Sequence, residues 1–150
     1  MAYPAIDPMK LRVLTLSERR NLLHLAGETA NALAATSPAE PAVQRQIENL
    51  ADRMLAARDR QASIMFTYGA HLIKNGAGPQ LNRLIEAGLA THLATQGAGI
   101  IHDWEFAFQG HSGESVRENA PAGIFGAWEE TGKYLNLAAL TGAAEGLGFG

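Results

Sequence analysis

His71 and Lys74 stand just before one small-residue loop, Asn75-Gly-Ala-Gly-Pro79, and His102-Asp103 stand just behind another, Gln96-Gly-Ala-Gly99. Glycine between a strand and a helix lets backbone N–H groups approach an anion closely, and a helix N-terminus adds partial positive charge. The second loop lacks the third glycine of GxGxxG, so it is a weak dinucleotide fingerprint and is more simply a tight strand-to-helix turn with no ligand. His102 or Asp103, expected in the first turn of the following helix, could reach a ligand at the strand ends beside His71. An acidic residue there also complements the helix dipole with no ligand at all. Neighbouring histidine and carboxylates invite a metal, but the spacing matches no zinc motif such as HExxH, and no metal is expected. Lys74 either meets a phosphate or is solvated.

The elements that must position these residues are two apolar runs of strand length. They are Ala62-Ser-Ile-Met-Phe-Thr-Tyr-Gly-Ala70 and Thr91-His-Leu-Ala-Thr95, each bounded by glycine. Between them Leu81, Leu84, Ile85 and Leu89 recur near helical spacing, and Ile100 to Phe108 continues as a second helix. Strand, helix, strand predicts a parallel βαβ unit, whose ligands bind beyond the carboxyl ends of the strands. Two convincing strands make an unfinished sheet with an edge that wants a partner.

Upstream, residues 1–16 read as an extended arm with a short strand at 11–16. Ser17 is placed to cap a helix to about Ala35, striped by Leu22, Ala26, Ala30 and Leu33, with His24 at the edge of that stripe. Ser37-Pro-Ala-Glu40 matches a capping box for a second helix, whose Val43, Ile47, Leu50 and Met54 follow at spacings of four, three and four. Together they predict a helical hairpin lying on the sheet or on a second subunit. Downstream of the polar stretch 109–115, residues 125–144 read as a final helix, and no terminating signal marks the end at Gly150. The expected organisation is therefore residues 1–60 as arm and hairpin and 61–150 as an incomplete α/β cofactor-binding portion, in one continuous domain.

The chain has 150 residues, 47% of them hydrophobic, which suffices for a core and argues against disorder. A formal net charge of -3 gives no electrostatic case for nucleic acid, because phosphate binding needs clustered Lys and Arg. Arg53, Arg58 and Arg60 are interrupted by Asp52 and Asp59. The absence of cysteine removes disulfide and thiolate chemistry and fits a reducing compartment. No run approaches the roughly 20 apolar residues of a spanning helix, and the first 20 residues lack a signal-like core. A cytoplasmic protein with no membrane partner is expected.

Taken together, Tyr68-Gly-Ala-His-Leu-Ile-Lys-Asn-Gly76 and Thr91-His-Leu-Ala-Thr-Gln-Gly-Ala-Gly-Ile-Ile-His-Asp103 resemble the deoxyhypusine synthase family, closest to its bacterial deoxyhypusine-synthase-like branch. The resemblance runs on through Glu105, Gly110, 112–116 and 125–132, and covers residues 63–150. It implies a Rossmann-like NAD-binding fold, usually a homotetramer with active sites between subunits. The implied reaction oxidises spermidine with NAD and passes its aminobutyl group through a lysine imine to a protein lysine. By position, the implied cofactor contacts are Ala70, His71, Leu72, Ile73 and Lys74, then Thr95, Gln96 and Gly97. His102 falls where the family often has an acidic residue near cofactor and polyamine, with Asp103 beside it, so His102 is an implied cofactor contact and both are implied substrate contacts.

One departure limits the reaction. The family's nucleophilic lysine lies in a second half that this sequence does not contain. Lys10, Lys74 and Lys133 are the chain's lysines, none in a matching Trp-Gly-Lys context. Imine chemistry needs an activated lysine amine, so no catalytic residue can be assigned here and another chain would have to supply it. A homo-oligomer or a complementary chain is therefore the expected partner. The alternative is a non-catalytic interaction module that keeps the fold.

Overall fold

A computed structural model describes residues 3, 5, 7–34 and 37–148. In chain order the elements are β1 (Leu23–His24), α1 (Leu25–Ala34), α2 (Pro41–Asp59), β2 (Met65–Thr67), α3 (Ala70–Lys74), α4 (Gly78–Glu86), β3 (His92–Ala94), α5 (Gly97–Gln109), β4 (His111–Ser112), α6 (Val116–Asn119) and α7 (Glu129–Ala144). Two short 3-10 turns, Pro8–Lys10 and Leu16–Glu18, precede them. The protein is mixed α/β and mostly helical. Among the described residues, no helix is long and apolar enough to cross a membrane.

The central expectation is met in its coarse form. β2 and β3 pair in parallel, Met65 with His92, Phe66 with Leu93 and Thr67 with Ala94. Thr91 fastens the open end of this short ladder: its hydroxyl accepts from Ile64 N at 2.8 Å, and its own N–H reaches Ile64 O at 2.9 Å. The strands are shorter than the apolar runs that signalled them, because Ala70 already opens α3 and Gly97 already opens α5. Each helix begins two residues after its strand.

Several boundaries differ from expectation. The helix expected from Ser17 begins at Leu25 instead; Ala35, its expected last residue, lies outside the described residues. The chain before it is drawn into an antiparallel pair, β1 with β4, and Leu25 N–H is taken by Gly110 O at 3.0 Å. Residues 11–16 form no strand; Leu14 makes a single parallel bridge to Trp128. The capping box at Ser37 is not used. Proline disfavours helical backbone in the residue before it, so Glu40 stays extended and Pro41 takes the first helical position, where its missing N–H costs nothing. The last helix starts at Glu129 rather than near Phe125, because Gly126 adopts a left-handed turn at φ 74°. Residues 1, 2, 4 and 6 of the expected arm, and Gly150, lie outside the described residues.

No helical hairpin forms: among the described residues α2 makes no extended contact with α1 or any other element. Its first ten residues are exposed throughout. By contacts the chain groups into two units, residues 23–112 and, separately, those up to Leu22 with those from Gly113 onward. Within residues 23–112 the buried side chains include Ala70, Ile73, Leu81, Ala90 and Phe106, with Glu105 and Ser112. In the other unit they are Leu16, Ala127 and Trp128, with Arg19 and Thr131.

In that second unit Glu114 acts as a tie. One carboxylate oxygen accepts from Gly126 N at 2.9 Å and Trp128 Nε1 at 2.8 Å, the other from Asn119 Nδ2 at 2.6 Å. The Arg19 guanidinium lies 5.5 Å over the Trp128 ring, and Leu16 N–H donates to Glu130 at 2.6 Å.

Candidate functional site

The two strand-to-helix connections lie at the same end of the β2–β3 pair, as parallel strands require, and α3 and α5 pack against each other there. Ala70 and Ile73 are buried in that contact region, Leu72 and Lys74 are half-buried, and His71 is exposed. Thr95, Gln96 and Gly97 are exposed at the start of α5. The structure thus puts the two sequence-derived segments on one end of the sheet.

Local chemistry at the start of α5 is more specific than a bare glycine loop. Gln96 is the N-cap: its side-chain oxygen accepts from Ala98 N–H at 2.8 Å, and its backbone oxygen accepts from Gly99 N–H at 2.8 Å. Those donors are therefore already partnered, and an anion would have to displace the Gln96 side chain to use Ala98 N–H. The glycines also have different reasons. A Cβ added to Gly99 would collide with Thr95 Oγ1, whereas one added to Gly97 meets no atom. Packing requires glycine at 99; the backbone at Gly97 is open to close approach.

Helix α5 begins at Gly97 rather than Ile100, so His102 and Asp103 fall in its second turn, where the dipole effect has faded. Adjacent helix positions diverge, and these two do. Asp103 lines a cleft of ≈ 220 Å³ with Leu25, Ile73, Pro79, Asn82 and Phe106. The cleft is mostly apolar, and of the other sequence-derived residues only Ile73 also lines it. Gly76 lies at its wall with φ 77°, where any side chain would run into the backbone of Glu28 and Thr29. That glycine lets α1 cover the cleft's neighbourhood.

His102 turns the other way. Its Nδ1 lies 2.7 Å from Ser112 Oγ, and Ser112 Oγ donates to Glu105 Oε2 at 2.6 Å. A hydroxyl has one proton, and here it goes to the carboxylate. With Glu105 ionised, His102 donates from Nδ1–H, and a neutral ring in that tautomer carries its lone pair on Nε2. Serine, histidine and glutamate side by side suggest a hydrolase triad, but the wiring is wrong for one. A nucleophilic serine gives its proton to histidine and faces substrate; Ser112 gives its proton to Glu105 and has no exposed surface. The cluster is a polar clamp holding β4 against α5.

This clamp was not foreseen from the sequence, although Glu105 and Ser112 both lie within the resembling stretch. Nor was the pairing of His24 with His111, whose rings meet edge to face at 4.6 Å across β1 and β4. Comparison with protein-family models, curated protein sequences and solved structures found no match to this chain.

Proposed function

We propose that this chain is the NAD-binding portion of a deoxyhypusine-synthase-like transferase, Rossmann-like in fold and cytoplasmic, completed by a chain that carries the nucleophilic lysine. The observation that supports this reading best is the parallel β2–β3 pair, from whose common end α3 and α5 each start after a two-residue connection. That is where open α/β sheets take their ligands. In this reading residues 70–74 and 95–97 line the cofactor crevice, with Gly97 allowing close backbone approach. Of the two implied polyamine contacts, Asp103 is the one that lines the neighbouring cleft, while His102 is held against Ser112 on the other face of α5; the cofactor when bound would accept hydride.

The test is a calorimetric titration of the chain with NAD beside Gly97→Val. No atom of the protein stands where the new side chain begins, so the variant keeps its fold and blocks only approach from outside. Saturable binding lost in Gly97→Val is the expected result; no binding to the folded chain rejects the reading. A non-catalytic interaction module is favoured by a separate observation, the exposed apolar seam of α2, with Val43, Ile47 and Leu50 each close to half exposed.

A further inference from the structure

Helix α2 presents Val43, Ile47, Leu50, Met54 and Ala57 along one stripe at alternating spacings of four and three. Exposures of 45%, 51% and 56% for the first three leave the N-terminal half of this stripe uncovered. An isolated helix of this length is marginal in water, because most helix stability in proteins comes from packing an apolar face. The C-terminal half borders an open groove of ≈ 450 Å³ between α2 and the start of β2, lined by Leu50, Met54, Ile64 and Met65 together with Arg53 and Arg60. Each chain thus carries a projecting apolar ridge and, further along the same helix, a groove of mixed lining in which Leu50, Met54, Ile64 and Met65 offer apolar surface.

We infer that α2 is a self-association surface on which two copies pair antiparallel, each seating Val43 and Ile47 in the groove of the other. In that register Val43 faces Met54 of the second copy and Ile47 faces Leu50 of the second copy. Charge selects the orientation. Glu40 stands at the start of the helix, and Arg58 and Arg60 stand at its end, all exposed. Antiparallel pairing sets Glu40 of each copy against Arg58 and Arg60 of the other and puts Arg53 opposite the neutral Gln46. Parallel pairing would set Arg53 against Arg58 and Glu40 against Glu40, and like charges flanking a seam disfavour it. The inference stands on α2 and β2 alone and is independent of NAD binding.

Sedimentation equilibrium of the full chain tests it. The wild type is expected to be a dimer. Ile47→Asp should abolish the dimer and lower the helical far-UV circular dichroism by no more than the share of α2, with cooperative thermal unfolding retained to show that the rest of the chain still folds. Arg58→Glu with Arg60→Glu should weaken it, and adding Glu40→Arg should restore it. The chain has no cysteine, so Ala39→Cys and Arg60→Cys variants report orientation cleanly with a short bis-maleimide. Antiparallel pairing links Ala39→Cys chains to Arg60→Cys chains in a mixture and leaves Ala39→Cys chains alone unlinked. A monomeric wild type, a dimer indifferent to Ile47→Asp, or Ala39→Cys chains linked to one another overturns the inference.

Discussion

The Ser112 hydroxyl donates to the Glu105 carboxylate across 2.6 Å, and both side chains are almost wholly buried. A buried carboxylate is tolerable only with donors around it, so this contact is structural before it is anything else. Ser112→Ala removes that donor and also the acceptor of His102 Nδ1. The expected cost is about 1–3 kcal/mol, read as a lower urea midpoint with an unchanged slope. Ser112→Thr keeps the hydroxyl and separates loss of the hydrogen bond from crowding by the added methyl.

Two glycines of the candidate site make a second prediction by contrast. Gly76→Ala must place a side chain at φ 77° and against the backbone of Glu28 and Thr29. Left-handed backbone costs roughly 1–2 kcal/mol and overpacking about 1–3 more. Gly97→Ala meets open space and should change stability by less than about 0.5 kcal/mol. Thermal melts of the two variants side by side check the difference.

Glu114 supplies the third. Its carboxylate collects Asn119, Gly126 and Trp128, fixing the chain between α6 and α7. Glu114→Ala leaves three donors without their acceptor and should cost roughly 2–4 kcal/mol. The near-UV circular dichroism of Trp128 should weaken with it. Glu114→Gln retains one accepting oxygen and should lose less.

The parallel strand pair was legible because each strand is an apolar run closed by glycine, and the intervening leucines fall at helical spacing. Periodicity carries that kind of information. It carries none about β1 and β4, which are two residues long and exist because Gly110, left-handed at φ 73°, reverses the chain at the end of α5 and sends His111 and Ser112 back along it. The same reversal creates the His102–Ser112–Glu105 clamp, whose members look unrelated in sequence until Gly110 folds them together. The start of α1 was misplaced for the same reason: Ser17 is a sound cap locally, but pairing with β4 takes the residues that would have been the first turns.

At α2 the apolar spacing was read correctly and its packing was not. A seam at heptad spacing says that something covers it, and says nothing of whether the cover lies in the same chain. At α5 the helix simply began earlier than its glycines suggested, which moved His102 and Asp103 a turn deeper and onto diverging faces.

The register of β1 with β4 has a topological consequence. Leu23 and Ser112 are the first and last residues of one unit, and they are directly opposite each other in the ladder. Strand partners of this kind lie about 5 Å apart. The chain therefore leaves one unit and returns to it at nearly the same point, which is the geometry of an insertion. Residues 23–112 have the form of a module spliced into a host whose two segments it interrupts. The splice could be undone by a short linker between Leu22 and Gly113, and the excised module could be permuted by joining its adjacent ends.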